Sequence, residues 1–176
     1  LPNFSFRSPP CSFYSGSKAL GEELLSTAEQ CYVWRLRVPF NHEKSPRNYL
    51  CKLLTYDHLL DVENSLSHLD DFVKATIASH EKRIPFGVYN VTNPGAVTTR
   101  QVTQWMREEG VTDKEFSFFE NEDDFMNEAV KAPRSSCVLD ASKLLGEGIE
   151  LRPVEEAVRD SLRKIRTARQ AEGVSA

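Results

Sequence analysis

Apolar residues recur along the chain with two spacings, one typical of helices and one typical of strands. The first helical pattern runs from about 15 to 30, and its apolar face holds Ala19, Leu20, Leu24 and Ala28. Residues 31–38 follow at once, are rich in β-branched and aromatic side chains, and stop at Pro39, as expected of a strand that feeds a loop. A helix followed directly by a strand predicts an α/β fold.

The same alternation continues to the end of the chain. We predict helices at 48–55, at 69–82, from Thr98 to 109 and from Pro153 until the chain frays near Thr167. We predict strands at 59–62, 87–92 and, at an edge, 137–139. Thr98 and Gln101 have the spacing of a capping box, and Gly110 is placed to end that helix. The acidic residues 120–128 predict a solvated helix or loop.

Composition and charge narrow the class of protein. The chain is 40% apolar and 27% charged, which is ordinary for a globular protein, and its net charge of -4 offers no basic stripe for nucleic acid. No apolar run approaches the roughly 18 residues of a membrane span. The four cysteines form no C-x-x-C pair, so we expect reduced thiols in a cytoplasmic protein and no metal site. The start, Leu1-Pro2-Asn3-Phe4, has neither Met nor signal-peptide features, and we expect a longer parent protein.

Tyr14 and Lys18 are the candidate chemical pair. A reductase that adds hydride to a carbonyl carbon also needs a group that protonates the oxygen. A phenol can do this when a nearby ammonium stabilises its ionised form. The four-residue spacing places both side chains on one face of the first helix, and the intervening Ser15, Gly16 and Ser17 are small enough for close approach. A Tyr-x-x-x-Lys pattern alone also fits a surface pair, so its context decides.

That context resembles the extended short-chain dehydrogenase/reductase family, in its branch of dTDP-4-dehydrorhamnose reductases and bifunctional nucleotide-sugar 3,5-epimerase/4-reductases. The similar segments cover nearly the whole chain and keep the order of the family. They are Tyr14-Ser-Gly-Ser-Lys18-Ala-Leu-Gly-Glu-Glu, Leu36-Arg-Val-Pro39, Pro46-Arg-Asn-Tyr49, Tyr89-Asn-Val-Thr-Asn-Pro-Gly95 and Ala132-Pro-Arg-Ser-Ser-Cys-Val-Leu-Asp-Ala-Ser-Lys-Leu144.

The resemblance implies a fold and a division into domains. The fold would be the C-terminal half of an NAD(P)-binding Rossmann-type fold with a small mixed substrate-binding subdomain. Residues 1–40 would end the Rossmann-type domain and carry the Tyr/Lys motif. Residues 41–176 would form mainly the substrate-binding subdomain, with 69–92 packing back on the Rossmann-type sheet.

The resemblance also implies roles for single residues. Tyr14 would be the proton donor, Lys18 would tune it and contact the nicotinamide ribose, and Pro39 would begin the loop beside the nicotinamide. Asn48, Arg134 and His68 would contact or border the nucleotide-sugar. A guanidinium suits a diphosphate, but a surface salt bridge for Arg134 and a capping or packing role for His68 stay open.

The implied function is NADPH- or NADH-dependent reduction of a 4-keto-6-deoxy nucleotide-sugar at C4. The glycine-rich turn that binds the dinucleotide pyrophosphate is absent from this sequence, so the cofactor would be bound mainly by a missing N-terminal half, and the chain alone would be inactive. The expected partners are a nucleotide-sugar and either a second copy or a fused upstream domain. The alternatives are an inactive truncation or a non-catalytic subunit of the same fold, such as the regulator of methionine adenosyltransferase in this branch.

Overall fold

The computed structural model describes residues 13–121, 124–125, 136–171 and 173. Within them the helices are α1 (Phe13–Leu25), α2 (Tyr49–Thr55), α3 (Leu69–Glu81), α4 (Thr99–Glu108), α5 (Ser142–Gly146) and α6 (Val154–Ala171). The strands are β1 (Tyr32–Arg35), β2 (Pro39–Phe40), β3 (His58–Leu59), β4 (Glu63–Asn64), β5 (Ser67–His68), β6 (Gly87–Asn90), β7 (Val97–Thr98) and β8 (Ser117–Phe118).

Two four-residue strands form the most regular part of the sheet structure. β1 and β6 pair in parallel, with Tyr32 opposite Gly87 and Arg35 opposite Asn90. The pairing continues one step further, because Val91 N donates to Arg35 O at 2.7 Å. α3 precedes β6 directly, as α1 precedes β1. Parallel strands each preceded by a helix confirm the mixed α/β class.

The remaining strands are pairs of two residues that tie distant loops together. β2 pairs in parallel with β5, β3 pairs in parallel with β8, and β4 pairs antiparallel with β7. The first pair brings Pro39 opposite Ser67. The loop after β1 is therefore fixed against the start of α3.

Two apolar cores lie under these elements. The larger one joins α2, α4 and α6 to the β2–β5 pair, and Leu50, Val102, Met106, Val158 and Leu162 are fully buried in it. The smaller one lies on the β1–β6 pair, where the Tyr32 and Trp34 rings stack with centroids 4.8 Å apart and Tyr89 is buried beside them. Their positions recur at helical and strand spacing, which is why the sequence pattern finds most of these elements.

The structure confirms both capping signals of α4. Thr98 accepts from Gln101 N at 3.1 Å while the Gln101 side chain accepts from Thr98 N at 2.8 Å, so the capping box is complete. Gly110, with φ of 66°, takes the left-handed conformation that follows many helices.

Several predicted bounds were wrong. α1 ends at Leu25 rather than near 30, and α6 runs to Ala171 instead of fraying near 167. Residues 137–139 form no strand. Their backbone is bound to Ser65 instead, which donates its N–H to Cys137 O and accepts from Leu139 N through its hydroxyl. Most of the acidic stretch 120–128 lies outside the described residues.

Candidate functional site

Tyr14 and Lys18 lie together on the surface of α1. The Lys18 ammonium is 5.4 Å from the centroid of the Tyr14 ring, and the Tyr14 side chain is 70% exposed. Between them, Gly16 is buried and Ser17 donates its hydroxyl to Tyr14 O at 2.8 Å. The spacing argument therefore predicts their juxtaposition correctly.

An open groove of about 1450 Å³ runs beside this pair. α1 forms one wall, β1 and β6 form the floor, and the 137–139 segment contributes Cys137 and Leu139. We call this space the α1 groove. Tyr14, Lys18 and Arg37 lie in its lining, so the proposed proton donor faces a space that could hold a ligand.

Pro39 follows a residue with an unusual backbone. Val38 has φ of 41°, in the left-handed region that β-branched residues rarely adopt and that costs about 1–3 kcal/mol. On either side of it the chain is fixed, because Arg37 N donates to Ser67 Oγ at 3.0 Å and Pro39 pairs with Ser67 in β2. Ser67 is buried and donates in turn to Val91 O at 2.8 Å. The loop that begins at Pro39 therefore starts from a defined position.

Asn48 is buried and makes its hydrogen bonds within the protein. Its Nδ2 donates to Asn41 O at 2.9 Å, to Asn41 Oδ1 at 3.0 Å and to Glu43 O at 2.7 Å. Its Oδ1 accepts from Leu50 N at 3.1 Å and so caps α2. The observed role of Asn48 is to hold the 41–43 turn against the start of α2.

His68 is also buried, with 1% of its surface exposed. Its Nδ1 accepts from Asp71 N at 3.4 Å as the N-cap of α3, and its ring meets Phe40 edge-on at 5.3 Å between centroids. Its Nε2 has no hydrogen-bond partner among the residues that the structure describes. The capping and packing role that the sequence left open for His68 is therefore observed.

A buried ion-pair network lies beside His68, and sequence reasoning missed it. Asp71 Oδ2 accepts from Asn93 Nδ2 at 2.8 Å, and Arg152 donates to the Asp71 carboxylate through Nη2 at 3.0 Å and Nε at 3.1 Å. Asn93 Oδ1 also accepts from His68 N at 2.7 Å. Burial opposes ionisation, but the hydrogen bonds that Arg152 and Asn93 donate outweigh it and hold the pKa of Asp71 well below its usual range. The sequence signal for this network is weak, because its members are separated by up to 81 residues.

Hydrogen bonds through the Asn64 side chain join the α1 groove to the segment that follows Arg134. Asn64 Oδ1 accepts from Arg37 Nη2 at 2.7 Å and from Cys137 N at 3.1 Å. Arg134 itself lies outside the described residues. Its neighbour Cys137 lines the groove that also contains Tyr14.

Other site classes receive no support from the described part of the chain. No group of three or more His, Cys, Asp or Glu residues there could hold a metal ion. Cys31, Cys51 and Cys137 are free thiols, and Cys11 lies outside the described residues. Among the described helices, none is both long and apolar enough to cross a membrane.

Comparison with solved structures identifies the class of fold. A solved UDP-rhamnose synthase from Acanthamoeba polyphaga mimivirus superposes with a TM-score of 0.77 at 24% identity, over 92% of this chain and 56% of that one. A dTDP-4-dehydrorhamnose reductase from Bacillus anthracis, solved in complex with NADP, gives a TM-score of 0.68 at 15% identity, over 90% and 56% of the two chains. The fold is that of the Rossmann-type NAD(P)-binding reductases and epimerases, of which the chain represents about half.

Sequence comparison narrows the class to a set of homologues. A bifunctional dTDP-4-dehydrorhamnose 3,5-epimerase/dTDP-4-dehydrorhamnose reductase of Arabidopsis thaliana is 33% identical over 89% of this chain and 50% of its own length. A trifunctional UDP-glucose 4,6-dehydratase/UDP-4-keto-6-deoxy-D-glucose 3,5-epimerase/UDP-4-keto-L-rhamnose-reductase of the same plant is 31% identical over 89% of this chain and 22% of its own length. No family model matches the chain. The chain is thus a homologue of the dTDP-4-dehydrorhamnose and UDP-4-keto-rhamnose reductases, and it spans half or less of these curated relatives.

Proposed function

We propose that the full-length protein containing this chain reduces a 4-keto-6-deoxy nucleotide-sugar of the dTDP- or UDP-4-dehydrorhamnose type. Hydride reaches C4 of the sugar, and Tyr14 delivers a proton to the C4 oxygen, so that the ketone becomes a secondary alcohol. The observation that carries this proposal is the exposed Tyr14 ring with the Lys18 ammonium 5.4 Å from its centroid, at a groove in a homologue of such reductases.

The two side chains have complementary tasks in this proposal. The Lys18 charge favours the phenolate that Tyr14 becomes after it gives up its proton, which lowers the barrier to proton transfer. Lys18 also has donors to spare for the hydroxyls of a ribose, since an ammonium carries three. The dinucleotide, NADPH or NADH, supplies the hydride when bound. Pro39 would border the nicotinamide at the end of the fixed loop from Arg37.

The chain's own residues fit only one end of that cofactor. Tyr14 and Lys18 are exposed and suit the ribose, whereas the sequence has no glycine-rich turn for the pyrophosphate. We propose that a further segment of the full-length protein supplies this turn and packs on α1. Three leucines of α1 favour that packing, since Leu20, Leu24 and Leu25 are 39%, 71% and 47% exposed.

Substrate recognition is proposed for the opposite side of the groove. Arg134, which precedes the groove-lining Cys137, would bind the diphosphate, since a guanidinium presents paired donors to phosphate oxygens. Asn48 and His68 would border the nucleotide-sugar by holding the 41–43 turn and the β5–α3 corner in place. We further propose a cytoplasmic enzyme that acts as a homodimer or as one unit of a fused protein. The multifunctional architecture of the relatives favours the fusion.

A Tyr14→Phe variant tests the proposal in the full-length protein. With a dTDP- or UDP-4-keto-6-deoxy sugar, loss of absorbance by the reduced nicotinamide should slow by about 10²–10⁴-fold, the usual contribution of a general acid. Tyr56→Phe is the matched control, because Tyr56 is an exposed tyrosine as well but does not line the α1 groove. Wild-type rates in Tyr14→Phe would refute the assignment. No turnover by the wild type, together with co-purification of another enzyme, would favour the non-catalytic subunit.

A further inference from the structure

Glu22 continues the line of chemical side chains along α1. Tyr14, Lys18 and Glu22 follow one another at intervals of four residues, so they lie along one face, with Glu22 about 12 Å from Tyr14 along the helix axis. Glu22 differs from the other two because it reaches a different element. Its carboxylate accepts from Arg35 Nε at 2.9 Å through Oε1 and at 3.1 Å through Oε2, and Arg35 Nη2 also donates to Oε2.

Arg35 is a rigid partner for this contact. It is the last residue of β1 and stands opposite Asn90 in the parallel register. Its carbonyl accepts from Val91 N, and the Asn90 side chain donates to Asp140 O at 2.8 Å. Four residues later the same segment reaches Pro39, which is paired in β2. The ion pair between Glu22 and Arg35 therefore joins the Tyr14/Lys18 helix to the strand that leads to the proposed nicotinamide loop.

The packing of α1 leaves its position to be set by such contacts. Gly16 is the buried residue of this helix, and Leu24 is 71% exposed. A bidentate guanidinium–carboxylate pair fixes both distance and orientation, unlike an apolar contact, which allows sliding. The hydrogen bond from Arg35 also lowers the pKa of Glu22, so the carboxylate is ionised at neutral pH.

We propose that the Glu22–Arg35 ion pair is a positioning device that sets where Tyr14 and Lys18 stand relative to the nicotinamide loop. The proposal rests on the reductase function given above. In this proposal Glu22 and Arg35 act through the position of the helix, although both also lie in the lining of the α1 groove. A misplacement of about 1 Å at a reacting group can reduce a rate by about 100-fold, so a loosened α1 should lower turnover strongly. Both side chains are 30% exposed, so the fold itself should depend little on the pair.

The test compares single variants with an exchanged pair in the full-length protein. Glu22→Gln and Arg35→Gln should each lower kcat by about 10- to 100-fold, with KM for the nucleotide-sugar changed less than about threefold. The exchange Glu22→Arg with Arg35→Glu restores an ion pair while reversing both charges, and it should recover at least about tenfold of the loss. Arg35→Lys keeps the positive charge but lacks the two parallel donors of a guanidinium, so its kcat should stay close to that of Arg35→Gln.

A control and a stability measurement make the outcomes distinct. Asp61→Asn removes a similar arginine–carboxylate contact, to Arg100 Nε at 2.9 Å, away from the α1 groove. If the Glu22 and Arg35 variants match Asp61→Asn in kcat, or if the exchanged pair recovers nothing, the positioning role is refuted. If the Gln variants unfold, the same comparison of kcat is made with Glu22→Asp and Arg35→Lys. Their melting temperatures are measured as well, so that a loss of kcat is distinguished from unfolding. A wild type without turnover, or an active Tyr14→Phe, would instead overturn the reductase function and this inference with it.

Discussion

Asp71→Asn tests the buried network at the β5–α3 corner. The change removes one negative charge, keeps the shape of the side chain, and turns one acceptor oxygen into an amide that faces donors. The Asp71 side chain is 8% exposed, and its oxygens accept from Arg152 Nη2 at 3.0 Å and from Asn93 Nδ2 at 2.8 Å. Since a hydrogen bond to a charged group contributes about 1.5–3 kcal/mol, the loss would be large if every partner were buried.

Solvent reduces that loss. Arg152 is 32% exposed and keeps a second contact, to Asp160 Oδ2 at 3.1 Å, so its charge is not stranded. We therefore expect Asp71→Asn to lower the free energy of unfolding by about 2–3 kcal/mol at neutral pH. For a chain of this size the melting temperature should fall by about 5–10 °C.

The lowered pKa of Asp71 determines how the expected loss of stability changes with pH. The pKa of Asp71 is lowered in the folded state, so its contribution is fully present above the unfolded value of about 3.9 and is lost as the pH falls through the folded value. The stability difference between wild type and Asp71→Asn should thus be complete above about pH 5 and shrink towards about pH 3.

Urea unfolding followed by circular dichroism at several pH values measures this difference. Asp70→Asn is the matched control, because Asp70 stands in the same first turn of α3 but is exposed, and it should cost no more than about 0.3–1 kcal/mol through the helix dipole. A loss in Asp71→Asn no larger than in Asp70→Asn would refute the reasoning, as would a loss that does not change between neutral and acid pH.

Three further predictions concern stability. Thr98→Ala removes the complete capping box of α4 and should cost about 1 kcal/mol in urea unfolding, and a loss below about 0.3 kcal/mol would contradict it. Leu162→Ala opens a cavity in the larger core and should cost about 2–5 kcal/mol, whereas Leu145→Ala at a 36% exposed position should cost much less; equal losses would disprove the assigned core. Asn48→Ala leaves the acceptors of the buried Asn48 amide without a donor and should lower the free energy of unfolding by about 1–3 kcal/mol without any ligand present. An unchanged midpoint of urea unfolding would argue against its structural role.

Local signals made much of the fold predictable. The spacing of apolar residues located α3 and α6, and Thr98 with Gln101 marked the start of α4, because caps and amphipathic faces are set by residues within one or two turns. The same reasoning placed Tyr14 and Lys18 side by side, as they are observed. The catalytic roles given to this pair stay a prediction, as do the substrate roles of Asn48, Arg134 and His68.

The tertiary structure decided what depends on distant partners. Residues 137–139 look like an edge strand in sequence, yet Ser65 satisfies their backbone as a loop. No sequence pattern near Asp71 predicts its contact with Arg152. The distance between Glu22 and Arg35 depends on how α1 lies against β1. The sequence by itself determined most of the helices, the caps of α4 and the Tyr14/Lys18 face. Ion pairs and strand pairs join segments far apart in the chain, so only the folded arrangement could reveal the contacts that hold this site.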